Sequence, residues 1–277
     1  MAALALCATT LTLQSCDDDD DNRINVPQEL QNAFDALYRN VQRLEWETEG
    51  NYYVAEFWMD NLEKSAWFDR QYQWVMTETD LPYQQLPQAV RSAYEASQYA
   101  SWRVDDTDMV ERKQAETVYV IEAEQGNSEV NLHYTADGIL VKEYADGTGR
   151  PQGGSDYLPS PLPDKVKSFI ESRYEGARIV ETDMETGWLE VDIVHEGKAK
   201  EVRFDNSSYE WISTSWDVMP GQLPQAVSDA ISANFPEYRT DDADFVEAPD
   251  GNYYLIELER GNEDRYVRIA EDGSLIG

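Results

Sequence analysis

Only two histidines, His133 and His195, and two cysteines, Cys7 and Cys16, occur among 277 residues. The chain therefore holds few of the groups that usually carry catalysis or bind transition metals. Both histidines fall at strand-like positions without H-x-x-x-H or H-E-x-x-H spacing, so a general base or zinc site there would lack its partners. Both cysteines lie near the N-terminus, which leaves none in the remaining chain for a nucleophile or a structural disulfide. No G-x-S-x-G elbow, phosphate loop or dinucleotide fingerprint occurs. Carboxylates are abundant, with 55 acidic against 22 basic residues and a net charge of −33. In that background a carboxylate pair says little, since a glycosidase needs two acids held about 5–9 Å apart in a cleft. Asp105-Asp106-x-Asp108 recurs as Asp241-Asp242-x-Asp244. These runs leave weak divalent-cation binding open, but they lack the spaced calcium loop with its central glycine, and solvated strand starts account for them. No enzyme activity, cofactor or metal centre is expected.

The side chains best suited to recognition are aromatic. Tyr52, Trp58, Tyr72 and Trp74, and again Trp188, Tyr209 and Trp211, are expected on one face of a sheet, with Trp67 and Tyr253 as weaker members. Carboxylates are interleaved at matching register, namely Glu56, Glu122, Asp192 and Glu257. Exposed Trp and Tyr anchor protein interfaces because they bury a large area at small entropic cost. Such a platform also suits sugar rings, and cross-strand aromatic pairs can simply stiffen a sheet. The acidity excludes nucleic acid and anionic headgroups as direct partners.

These aromatics must be positioned by repeated elements. The string Gln-Leu-Pro-Gln-Ala-Val occurs at 85–90 and at 222–227, with related starts at Pro27 and Pro163. Each proline opens a helix, where its fixed φ suits the first turn. Leu30, Phe34, Leu37 and Val41 form the first apolar stripe, and Val90, Ala93 and Tyr94 the second. Val166, Phe169, Ile170 and Tyr174 form the third, and Val227, Ile231 and Phe235 the fourth. The period then changes to two: Tyr53, Ala55, Phe57 and Met59 alternate with Tyr52, Val54, Glu56 and Trp58. Asp137-Gly138, Glu196-Gly197, Arg260-Gly261 and Asp272-Gly273 mark hairpins. The expected fold is α+β: four units in two pairs, each one helix on a three- to four-stranded antiparallel sheet with the other sheet face open. Units one and three carry the fuller aromatic face, so binding is expected in one unit of each pair.

Residues 1–13 are apolar or small and too short to span a bilayer at roughly 20 residues. Leu13-Gln14-Ser15-Cys16 resembles the lipobox of bacterial lipoproteins, which makes Cys16 the lipidated residue. Gln14 and the missing positive n-region depart from that pattern, and the latter points to a start upstream. Asp17, Asp18, Asp19, Asp20 and Asp21 form a self-repelling run, and they resemble an export signal to the outer surface. The expected layout is a signal peptide over 1–16, an acidic tether over 17–25, one domain over 26–145, a Gly/Pro-rich linker over 146–161 and a second domain over 162–277. An exported outer-membrane lipoprotein, surface-exposed or periplasmic, touches the membrane only through its lipid.

Leu86-Pro87-Gln88-Ala89-Val90, Leu223-Pro224-Gln225-Ala226-Val227, Asn51-Tyr52-Tyr53-Val54 and Asn252-Tyr253-Tyr254-Leu255 together resemble the PepSY-like, β-lactamase-inhibitor-like family of secreted bacterial proteins. The resemblance covers roughly 26–277. It implies tandem αβ sheets and a protein partner, such as an enzyme or peptidase, held on the open sheet. A glycan-binding surface lipoprotein and a cation-responsive envelope protein are the alternatives.

Overall fold

The computed structural model describes residues 25–145, 151, 153–261 and 263–276. Cys16, the five aspartates after it and the signal segment lie outside the described residues. The first half of the chain contains α1 (Gln28–Leu37), β1 (Gln42–Glu49), β2 (Tyr52–Met59), β3 (Leu62–Phe68), β4 (Trp74–Asp80), α2 (Gln88–Ala96), β5 (Arg103–Arg112), β6 (Val118–Gln125), β7 (Ser128–Thr135) and β8 (Leu140–Tyr144). The second contains α3 (Asp164–Arg173), β9 (Arg178–Met184), β10 (Trp188–His195), β11 (Lys198–Asp205), β12 (Trp211–Asp217), α4 (Gln225–Asn234), β13 (Arg239–Glu247), β14 (Tyr253–Arg260), β15 (Glu263–Ala270) and β16 (Leu275–Ile276).

The strands form two eight-stranded antiparallel sheets, each a meander in chain order. The α+β class and the repetition are as expected. β4 pairs β5 and β12 pairs β13, so the strands of each half of the chain join in one continuous sheet carrying two helices.

Each helix begins one residue after its proline, but the proline is the N-cap and not the first helical residue. Pro27 is extended, with ψ 146, and its carbonyl accepts from Gln31 N at 3.0 Å. Pro87, Pro163 and Pro224 accept in the same way from Arg91, Lys167 and Ser228. Leu30 and Phe34 pack on Trp46, Ala55, Phe57, Ala66 and Phe68. Val90 and Tyr94 pack on Ile121, Leu132 and Tyr134, and Val166 and Ile170 on Leu189, Val191 and Phe204. Val227 and Ile231 cover Ile256, Leu258 and Ile269. Each such side chain contributes about 1.5–3 kcal/mol on burial. Leu37, expected in the first stripe, is 52% exposed.

The Asp-Gly hairpins are pinned against helix starts. Gly138 and Gly273 have φ +83 and +88, and a Cβ on either would lie 2.6 Å from the carbonyl oxygen of Ala89 or Ala226. Only glycine meets both conditions at once.

The sheet faces away from the helices share a further core. Val54, Trp67, Met76, Val110, Val118 and Val120 of the first sheet join Val180 and Val194 of the second, with Tyr157 buried beside them. Part of the expected linker is thus packed. Gly154 N donates to Glu78 Oε2 at 2.8 Å, and Ser160 N donates to Thr182 O at 2.8 Å. No helix among the described residues is long and apolar enough to cross a membrane.

Candidate functional site

The seven aromatics expected on the open face divide between the two faces. Tyr52, Trp58 and Trp188 lie away from the helices, in alternation with helix-side Tyr53, Phe57 and Leu189. Tyr72, Trp74, Tyr209 and Trp211 pack instead with the helix-side cores, which corrects their expected placement. The cause is a one-residue bulge. Trp67 pairs with Met76 but Phe68 with Trp74, and Arg203 pairs with Ser213 but Phe204 with Trp211. One extra residue reverses the parity of everything beyond it. Tyr72 and Tyr209 precede the bulges at φ 61 and φ 54. Trp211 stacks on Phe169 at 5.7 Å and lies under Arg173 at 4.3 Å. Trp74 Nε1 donates to Thr77 Oγ1 at 2.8 Å, as Trp211 Nε1 does to Thr214 Oγ1 at 3.0 Å. Tyr38 and Tyr174 bond the same threonines, tying each helix end to its sheet.

Charged side chains converge where the two sheets meet. Lys142 Nζ on β8 donates to Asp183 Oδ2, Glu190 Oε1 and Asp192 Oδ2 at 2.9, 3.0 and 3.0 Å. Arg112 on β5 donates through Nη2 to Glu181 Oε1 at 2.8 Å and through Nε to Tyr157 O at 2.7 Å. His133 Nδ1 lies 3.2 Å from Glu181 Oε2, with the ring fully buried. His195 sits at the far end of β10, its Nδ1 3.4 Å from Lys200 Nζ. Arg203 reaches Glu190 and Glu201, and its guanidinium covers Trp188 at 5.2 Å. These contacts were not foreseen from the sequence. The available signal was a charge at strand positions where a buried face calls for an apolar residue, as at Arg112 and Lys142.

Burial dominates the titration of this seam. It pushes Asp192 well up, with Lys142 opposing, and Asp192 Oδ1 is buried without a partner. Burial would also raise Glu181, but Arg112 and then His133 outweigh it and hold the carboxyl well below its ordinary range. For Lys142, burial works against the charge, yet Asp192 and Asp183 overcome it and hold the ammonium well above its usual value. Asp108 is raised to about 9 by burial and by Glu78, Asp106, Glu122 and Asp80. Asp244, opposite Asp217 on β12, is raised to about 7 by burial and by Asp217.

The two acidic strand starts do not converge as ligand sets. Arg103 pairs with Asp105 and Arg239 with Asp241, while Asp106 accepts from Thr107 N. Among the described residues, the acids close enough to share a cation are Glu181–Asp183–Asp192 and Glu190–Asp192–Glu201. Both sets already border Lys142.

The face of β1–β3 differs. Tyr52 and Trp58 are half-buried, and Glu45, Glu56 and Glu63 are exposed. Glu45 stands directly opposite Glu56, an arrangement of like charges that costs stability. Glu56 is raised by burial and by Glu47, Glu63 and Glu45. Arg43 lies over Trp58 at 5.3 Å. Tyr253 and Glu257 hold the corresponding face of β14, with Arg268 over Tyr253 at 5.4 Å.

The sequence matches one family, described as "Putative beta-lactamase-inhibitor-like, PepSY-like", over residues 51–142 and 188–276. These two stretches make up more than half of the chain, and the chain belongs to the PepSY-like family. It is also similar to a BLIP-like protein from Bacteroides fragilis, at 36% identity over 53% of this chain and 99% of that one, TM-score 0.44. A DUF2874 family protein from Bacteroides ovatus is 34% identical over 44% of this chain and 89% of its own, TM-score 0.42. One from Bacteroides uniformis is 28% identical over 43% and 89%, TM-score 0.41. Among curated proteins none matches the chain.

Proposed function

We propose that this protein is a non-enzymatic binding module that holds another protein against the uncovered end of the β1–β3 face, with Trp58 as anchor. The observation that carries this reading is the unequal covering of equivalent faces. On β9–β10, Val180 and Val194 pack in the core shared with the first sheet, whereas on β1–β3 only the end with Tyr52, Val54 and Trp67 joins that core, and the end with Trp58, Glu45 and Glu56 stays accessible. The family's inhibitor-like description agrees with a protein partner, such as an enzyme or peptidase. Trp188, Tyr209 and Trp211 then serve the sheet and not the partner.

In the same reading, the four helix-plus-four-strand segments are copies of one unit, grouped as domains over 26–145 and 162–277 around the 146–161 stretch. The module is exported and anchored through Cys16, with 17–25 as the tether. Cys16→Ser should move it from the membrane to the soluble fraction. For binding, a photo-crosslinking residue at position 58 should give one discrete protein adduct in living cells, and one at position 171 should not. A matching adduct pattern at both positions would overturn the assignment.

A further inference from the structure

The two odd-numbered quarters of the chain can be aligned by strand pairing alone. In β9–β10, Glu181 stands opposite Asp192 and Asp183 opposite Glu190. In β1–β2, Glu45 stands opposite Glu56 and Glu47 opposite Val54. Tyr53 and Leu189 pair with Phe68 and Phe204, and Phe57 and Ile193 with Lys64 and Lys200, so the registers coincide. Residue for residue, Glu45, Glu47 and Glu56 correspond to Glu181, Asp183 and Asp192, and Trp58 corresponds to Val194.

One copy of this acidic triad is filled. Arg112 and His133 take Glu181, and Lys142 takes Asp183 and Asp192. All three come from strands of the other sheet. Asp192 is 1% exposed, Glu181 5% and Val194 3%. The other copy is uncovered: Glu45 and Glu56 are exposed, and among the described residues Glu45, Glu47 and Glu56 have no ion pair. The filled copy is therefore an internal specimen of what such a face receives. Its occupant is a sheet surface presenting Lys142, His133 and Arg112 from β8, β7 and β5, with apolar side chains packed around Val194, the counterpart of Trp58. A second molecule of this protein cannot supply Lys142, which is already committed within its own chain.

Resting on the protein-binding reading above, we propose that the β1–β3 face takes a partner that presents at least two cationic side chains from extended backbone, inserted among Glu45, Glu47 and Glu56 beside Trp58. Opposed carboxylates cost the free sheet stability, and a cationic partner relieves that cost on docking. Charge complementarity of this kind sets which partner binds and how fast.

The test uses the intact protein and a synthetic peptide that alternates lysine with valine and threonine, followed by calorimetry and amide NMR. Shifts confined to β1–β3 and the Trp58 indole are expected. Glu45→Gln/Glu56→Gln should weaken binding by about tenfold or more. Glu171→Gln/Glu175→Gln, exposed at the end of α3 and in the turn after it, removes the same charge and should change it by no more than about twofold. Equal losses in both variants, or shifts spread over the whole surface, would mean unspecific attraction to a polyanion and overturn the proposal. The crosslink at position 58 separates the two levels. An adduct that persists in Glu45→Gln/Glu56→Gln keeps the protein-binding reading and removes the cationic partner. Loss of crosslinking at position 58 in the otherwise unaltered chain removes both.

Discussion

The acidic faces of β1–β2 and β9–β10 start from nearly the same pattern and end in opposite environments. On β9–β10, Glu181 and Asp192 are buried and Asp183 half-buried, and each is bonded by Arg112, His133 or Lys142. On β1–β2 they face solvent and one another. Strand register therefore sets where a carboxylate points, while the neighbouring element decides whether it becomes a structural group or a free one. A repeat lets both states coexist in one chain.

The strongest way to break this comparison is Lys142→Met, which leaves three carboxylates of the seam without their shared cation. Breaking a buried ion pair from one side costs about 3–5 kcal/mol, roughly a 10 °C fall in Tm for a chain of this size. A change of less than about 2 °C in calorimetry would show that the seam does not hold the sheets together. Next in size, Trp74→Ala or Trp211→Ala should cost about 2–3 kcal/mol, somewhat less than a fully buried tryptophan. If urea denaturation finds either variant as stable as the parent, the helix-side placement is wrong.

Asp108→Asn has the opposite sign. Its carboxyl is raised from 3.8 to about 9, so its favourable contribution is complete below pH 3.8 and is lost as pH rises through 9. The variant should match the parent near pH 4 and exceed it at high pH by about 2 kcal/mol, read as Tm against pH. Glu181 behaves inversely, since its carboxyl is held below the ordinary 4.5. Its contribution is present above that value and lost as pH falls, so Glu181→Gln should flatten the acid limb of the same curve. The smallest effect belongs to Trp58→Ala, within about 0.5 kcal/mol of the parent while partner capture is lost. A large destabilisation would make Trp58 a packing residue.

Much of the layout was legible because local chemistry announced it. Pro27, Pro87, Pro163 and Pro224 marked the helix starts, and alternation in 52–59 separated Tyr53 and Phe57 from Tyr52 and Trp58 correctly. Period-two counting failed at Trp74 and Trp211 because a bulge adds one residue without any compositional mark. The joining of β4 to β5 and of β12 to β13 was not legible either, since an edge and a central strand differ by what lies beside them. The seam was hidden for a related reason. Lys142 and Asp192 are fifty positions apart, and nothing local to either predicts their meeting.

The meander order of both sheets has a consequence for how the chain reaches this state. Within each sheet, strands pair only with their neighbours in sequence, so the ladder partners of any strand are close along the chain. Low sequence separation favours rapid folding, and a chain emerging from its N-terminus can complete one hairpin before the next is available. Arg112–Glu181, Glu116–Arg178 and Lys142–Asp192 span 69, 62 and 50 positions, the largest separations among the described ion pairs apart from Arg173–Glu247 at 74. The two sheets should accordingly form early and separately, and the charged seam should lock last. Substitutions in the seam should then speed unfolding while leaving the folding rate nearly unchanged.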